Sequence, residues 1–326
     1  MKGCHKPFAK LGDVGEELSM LCFERLEQLG QLDGPVALAI GVFDGLHLGH
    51  QEVIAAAAAH ARQHHGQAVV MSFEPHPLAV LQPARAPLRL CGPGHRLRLL
   101  QALPVAGVLA CPFTAELAAT PAEEFVGRLA GACRLGCISV GYTWTFGRAR
   151  GGNIHSLMDL GQKHQFAVYG VPPVRVGEEV VSSTAIREAV AGGDLERAAR
   201  LLGRTYSLFG KVVAGRRLGR ELGFATANVA PEAGLLPPLG VYAVRAEVDG
   251  VWRAGVANLG VRPTVEGEPA PPLLETHVFD WQGDLYGRDL EVRLEAFLRP
   301  ERRFASVAEL RDQIVLDAAA ARARLG

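Results

Sequence analysis

The chain has 326 residues, with 34 Lys and Arg set against 34 Asp and Glu and 48% hydrophobic residues. That composition suits a globular protein with room for two domains. The lack of a basic excess argues against nucleic acid and leaves small molecules as the expected partners, with the oligomeric state open. Asp13, Glu16, Glu17 and Glu24 interrupt any apolar signal core, and no uncharged run is long enough to span a bilayer. The cytoplasm is therefore the expected compartment, and no membrane partner is expected.

The first 34 residues carry a helical pattern from Leu18 to Leu29 with no evident task and form an N-terminal extension. Val36 to Ile40 is an apolar run of strand length. The glycine-punctuated stretch Gly41-Val42-Phe43-Asp44-Gly45-Leu46-His47-Leu48-Gly49-His50 follows, and then an alanine-rich helix that begins near Leu48. A helix start attracts phosphate through its dipole and early N–H groups, and Gly41, Gly45 and Gly49 allow close backbone approach. His47 and His50, three apart, fall on one face of the first turn and can both donate to the same phosphoryl oxygens. The spacing is neither a Walker loop nor a GxGxxG fingerprint.

Ala68 to Met71 predicts a second strand, closed by Phe73-Glu74-Pro75-His76-Pro77, where the prolines end it and an aromatic and an imidazole can wall a pocket for a flat ring. Helical patterns at Arg96 to Leu103, Ala122 to Leu129 and Ile154 to Lys163 alternate with strand patterns at Val105 to Ala110, Cys137 to Val140 and Phe166 to Tyr169. Repeated βα units predict a parallel sheet with ligands at the carboxyl ends of its strands. Ser183 and Thr184 can cap a helix that carries Arg187 one turn in, and together they can hold phosphate oxygens. Two short helices broken at Gly192-Gly193 fill Ser182 to Leu202.

Past residue 205 short alternating strands take over. Val241 to Val248 and Val251 to Ala257 are joined by Asp249-Gly250, a strong hairpin signal. Leu274 to Phe279 and Leu290 to Phe297 follow, and a helix from Val307 to Leu325 enters through Ser306 as N-cap. An antiparallel barrel with a trailing helix is expected. Thr226 and Asn228, two apart on a strand, can offer two oxygens to one Mg²⁺, which prefers sparse protein ligation completed by phosphate and water. Glu275 and His277 share another strand face, where a carboxylate can take a proton from an attacking alcohol. The six cysteines at 4, 22, 91, 111, 133 and 137 form no paired cluster and are expected as free thiols.

The motifs GVFDGLHLGH, FEPHP, VSSTAIR, GRELGFATAN, GVYAV, ANLGVRPT, LETHVFD, DLYG and FLRPERRF, in this order, resemble the prokaryotic bifunctional riboflavin kinase/FAD synthetase family from about Pro35 to Leu316. The resemblance implies a Rossmann-like nucleotidyltransferase domain at 35–190, a helical linker at 191–205 and a riboflavin-kinase barrel with a C-terminal helix at 206–326. It implies that the barrel phosphorylates riboflavin to FMN with ATP, and that the first domain transfers AMP from ATP to FMN to give FAD and pyrophosphate. His47, His50 and Arg187 would then be catalytic in the first domain and Glu275 in the second, with Mg²⁺ on Thr226 and Asn228. Gly41, Phe43, Asp44, Gly45, Gly49, Ser183 and Thr184 would contact nucleotide, and Phe73, Pro75, His76, Pro77, Thr143 and Phe146 would border flavin. Gly215, Gly219, Arg220, Gly223 and Arg299 would contact substrates in the barrel.

Thr143 and Trp144 stand where relatives commonly carry a carboxylate or amide and a phenylalanine, and Ala225 stands where they carry proline. The change at Thr143 and Trp144 motivates an alternative expectation, a riboflavin kinase whose first domain adenylates poorly or adenylates another ligand, whereas Ala225 keeps both candidate metal ligands and is expected to have a modest effect. A second is a flavin-binding protein without catalysis.

Overall fold

The computed structural model describes residues 20–215, 224–261 and 271–326. They group into two compact units, one comprising the chain up to Pro87 with Arg96–Ser182, the other Leu88–His95 with Ser183–Gly326.

The first unit is built on β2 (Val36–Gly41), whose residues alternate between two cores. Val36, Leu38 and Ile40 point into one, with Phe125, Val126 and Leu129 of α5 (Ala122–Ala132) and Ile154 and Leu157 of α6 (Ile154–His164). Ala37 and Ala39 point into the other, against Val53, Ile54, Ala57 and Ala58 of α1 (Leu48–Gln63). This period of two puts helices on both faces. Alanine on strand and helix alike lets α1 lie close to the sheet.

Around β2 stand β1 (Leu21–Phe23), β3 (Gln67–Glu74), β4 (Gly107–Pro112), β5 (Leu135–Gly141) and β6 (Ala167–Val171), all parallel, in the order β1-β4-β3-β2-β5-β6. The chain leaves β2 to one side for β3 and β4 and returns to its other side for β5. The carboxyl end of β2 is thus the switch point where a doubly wound sheet binds ligands.

The helical pattern expected from Leu18 to Leu29 is not realised in its described part. Leu21 to Phe23 pair with Gly107 to Leu109, and a 3₁₀ turn follows at Leu26–Gln31. Pairing to an open sheet edge, with Phe23 buried over Gly107, outweighs local helix preference.

The second unit opens with two helices, α7 (Ser183–Ala191) and α8 (Leu195–Leu202), whose buried faces carry Ile186, Ala189, Val190, Ala198 and Leu201. A closed six-stranded antiparallel barrel follows. Its strands are β9 (Ser207–Val213), β10 (Ala227–Pro231), β11 (Gly240–Val248), β12 (Val251–Gly260), β13 (Leu273–Val278) and β14 (Asp289–Pro300), in the order β10-β13-β12-β11-β14-β9. Asp249 and Gly250 both take positive φ, the two-residue turn expected of that dipeptide. Val241, Ala243, Val256 and Phe279 pack outward with Ala321 of the C-terminal helix Val307–Leu325. Alternation sends Tyr242 and Val244 inside. Ser306 caps that helix by accepting the Glu309 N–H. Among the described residues no helix is long and apolar enough to cross a membrane.

Candidate functional site

At the switch point β2 runs into a loop that bends against its own preference. Phe43 (φ 53°), Gly45 (φ 79°) and Leu46 (φ 44°) are all left-handed, and two of them carry bulky side chains. Such a conformation costs about 1–3 kcal/mol for each non-glycine residue and persists only where surroundings over-determine it. Both side chains are buried, and the loop carbonyls are held. Ser72 Oγ and Arg96 Nη1 donate to the Val42 carbonyl (3.1 and 3.3 Å), and Gln51 Nε2 donates to that of Leu46 (3.0 Å). A Cβ on Gly41 would press on the buried Phe43 ring at 3.1–3.3 Å. Asp44 is also buried.

The bend delivers His47 to the N-cap of α1. Its Nδ1 accepts the His50 N–H (3.3 Å), so the proton of the neutral ring sits on Nε2, which is left as the donor. The two imidazoles stack 3.5 Å apart at 15°, and Phe43 meets His50 edge-on at 5.2 Å. A Cβ on Gly49 would press on the His47 ring at 3.2 Å. The paired imidazoles foreseen from the three-residue spacing are therefore present, ordered by the cap and the stack, at the positive end of a 16-residue helix.

The turn after β3 is capped by His76, whose Nδ1 accepts the Leu78 N–H (3.1 Å), with Pro77 in the first helical position of α2 (Pro77–Leu81) and Pro75 following a cis bond. Phe73 lies in the core, edge-on to Phe113 at 5.7 Å. Phe146 is also a core residue, against Phe125, and Trp144 stacks on it at 4.6 Å and 11°. The larger ring is thus accommodated by stacking. Thr143 is exposed.

Ser183 and Thr184 start α7 in the second unit, and Arg187 Nε donates to the Leu88 carbonyl (2.9 Å) of the same unit. In the barrel, register places Asn228, Glu275 and Asn258 side by side across β10, β13 and β12. Glu275, Thr226, His277 and Arg299 line a cavity of about 210 Å³ between the outer barrel face and Leu310, Ile314 and Asp317 of the C-terminal helix. His277 Nδ1 is 2.9 Å from the Ala225 carbonyl, tying the strand to the segment that leads into Thr226. Gly215 leaves room for the Asn228 amide, whose Nδ2 a Cβ there would strike. Arg299, expected as a substrate contact, donates from Nε and Nη2 to Asp317 (2.9 and 2.7 Å), and Gln313 Nε2 donates to the same carboxylate (2.7 Å). Gly219, Arg220 and Gly223 lie outside the described residues.

Sequence reasoning missed Arg96, Asn258 and Asp317. Asn258 was within reach, since its register follows from the Asp249-Gly250 turn.

A doubly wound sheet with an imidazole-bearing loop at its switch point, followed by a barrel with a carboxylate in its cavity, defines a two-domain transferase that handles nucleotides. The sequence matches the FAD synthetase family over residues 30–185 and the riboflavin kinase family over residues 202–325. The bifunctional riboflavin kinase/FMN adenylyltransferase of Escherichia coli (strain K12) is 39% identical over 293 residues, covering 89% of this chain and 92% of that protein. The enzyme of the same description from Pseudomonas fluorescens is 39% identical over 291 residues, covering 87% and 91%. A crystal structure titled macrolide-efflux protein, from Streptococcus pneumoniae, superposes with a TM-score of 0.77 at 30% identity, covering 93% of this chain and 98% of that one. The chain belongs to the bifunctional riboflavin kinase/FMN adenylyltransferase family and is a transferase of FAD biosynthesis.

Proposed function

We propose that the barrel phosphorylates riboflavin to FMN and that the parallel-sheet unit adenylylates FMN to FAD, with ATP as donor in both steps. The observation that carries this division is that each unit has its own reactive group: the capped, stacked imidazoles at the β2 switch point and Glu275 in the barrel cavity.

In the first step Glu275 takes the proton of the ribityl 5′-hydroxyl as that oxygen attacks the γ-phosphorus, and ADP leaves. Asn228 and Asn258 flank it in register. Thr226 and Asn228 fit Mg²⁺, because a hydroxyl and an amide oxygen two residues apart form a hard, neutral and incomplete set of the kind magnesium completes with phosphate and water. When bound there, the ion would neutralise charge on the transferring phosphoryl oxygens.

In the second step an FMN phosphate oxygen attacks the α-phosphorus and pyrophosphate leaves. His47 Nε2–H and His50 donate to the oxygens on which charge grows, and the α1 dipole adds to their pull. Nucleotidyl transfer needs chiefly positioning and charge stabilisation, which these groups supply without covalent chemistry. The free thiols among the described residues fit a cytoplasmic enzyme.

A time course with riboflavin, ATP and Mg²⁺, following FMN and FAD separately, tests both halves. FMN should rise first and FAD at its expense. Accumulation of FMN with no FAD would leave only the kinase.

A further inference from the structure

The left-handed loop that carries His47 starts at the Val42 carbonyl, and the residue that fixes this carbonyl from outside the two flanking strands is Arg96 of α3 (Pro93–Gln101). The residue is 4% exposed. One arm of its guanidinium, Nη1, donates to Val42 O (3.3 Å), and the other, Nη2, to Oε2 of Glu74 (2.8 Å), the last residue of β3, directly before the turn Pro75-His76-Pro77. A single rigid fork thus spans the imidazole loop and the turn after β3. Ser72 Oγ, the second donor to Val42 O, sits opposite Gly41 within the sheet and cannot make that link.

We infer that Arg96 is a positioning residue for adenylyl transfer: by holding Val42 and Glu74 together it sets where His47 and His50 stand relative to the turn. The inference rests on the assignment of FMN adenylylation to this loop. A buried Arg opposite a carboxylate also has a simpler use, neutralising Glu74. The two uses separate because the bond to Val42 has nothing to do with the charge of Glu74. A lysine can satisfy the carboxylate but has no planar fork to serve both acceptors at once.

The test uses the full chain, with kcat and KM for FAD formation, the rate of FMN formation and thermal stability measured on each variant. Arg96→Met takes the buried cation from beside the Glu74 carboxylate, so it should lose both stability and FAD formation. Adding Glu74→Gln removes that carboxylate charge. The double variant should regain stability, while its kcat for FAD stays down by about 10- to 100-fold, the scale of an ångström-sized misplacement, with KM for ATP changed far less. Arg96→Lys should recover stability and only part of kcat. FMN formation should stay within about twofold throughout, since Arg96 is not part of the barrel unit. Full recovery of kcat in the double variant, or a loss confined to KM, overturns the inference. His47→Ala is measured alongside as reference. If it leaves FAD formation intact, the loop is not the site and both readings fall. If it abolishes FAD formation while the double variant matches wild type, the role of Arg96 alone falls.

Discussion

His47 has two tasks that a single substitution removes together, capping α1 through Nδ1 and presenting Nε2–H. Loss of one preorganised donor to a developing charge costs roughly 10²- to 10³-fold in kcat. His47→Ala is expected to reduce FAD formation by that factor and to spare FMN formation, as read by chromatography of the two products. Glu275→Gln is expected to do the reverse, lowering FMN formation by about 10²- to 10⁴-fold, the range for a positioned general base. Near-normal FMN production by it would remove Glu275 as base.

Away from both sites, His60 tests the pH response of the first unit. It is buried, its Nδ1 lies 3.1 Å from the Tyr169 hydroxyl, and its ring stacks on His64 at 4.2 Å. Burial, then the neighbouring His64 charge, hold its pKa below the ordinary histidine value. Above that value, about 6.5, both folded and unfolded forms are neutral and His60 has no influence on the balance. As pH falls through it the unfolded chain takes up a proton that the folded chain resists, so stability declines on the acid side. His60→Asn should therefore lose less Tm than wild type between pH 7.5 and pH 5.5. Equal losses would show that other groups set the acid limit.

At the scale of elements, the C-terminal helix covers one wall of the barrel cavity and holds Arg299 in it through Asp317. Breaking a buried ion pair from one side strands the other charge, at a cost of about 3 kcal/mol or more. Asp317→Ala should lower the Tm of the barrel and reduce FMN formation, and Asp317→Asn should keep part of both through a remaining hydrogen bond. FMN formation untouched by Asp317→Ala would limit the helix to a covering role.

The elements themselves were legible wherever local signals agreed with tertiary demands. The Asp249-Gly250 hairpin, the Ser306 cap and the start of α1 near Leu48 all stand as expected, because turn and cap chemistry acts within a few residues. Leu21 to Phe23 misled for the opposite reason, since its partner strand lies far along the chain. The same distance hid Asp317, a carboxylate on a helix of no marked pattern, and Arg96, which touches Val42 and Glu74 only after the sheet has formed. The paired histidines were readable because three-residue spacing on a helix start is a local fact, whereas the Nδ1 cap that orients them was not.

Over the whole molecule, the second unit is discontinuous in sequence, and Leu88–His95 is a working part of it. The Leu235 N–H donates to the Arg89 carbonyl (3.0 Å), the Tyr206 hydroxyl to that of Leu90 (3.5 Å), and the His95 N–H to Glu232 Oε2 (3.1 Å). The His95 ring lies 3.2 Å from Ser207 Oγ, which itself donates to Glu291 Oε1 (2.8 Å), all three side chains being buried. Gly92 is glycine because a Cβ there would strike the Cβ of Glu232. Nothing in Cys91-Gly92-Pro93-Gly94-His95 marks it as part of a barrel, since the partners lie more than a hundred residues onward. A fragment of residues 183–326 keeps every strand but loses the bonds from Leu235, Tyr206, Ser207 and Glu232 to this segment, at about 0.5–1.5 kcal/mol for each hydrogen bond lost. Heat inactivation of FMN formation should then occur in the fragment at least about 5 °C below the full chain. Identical inactivation temperatures would mean that the strap follows the barrel without supporting it.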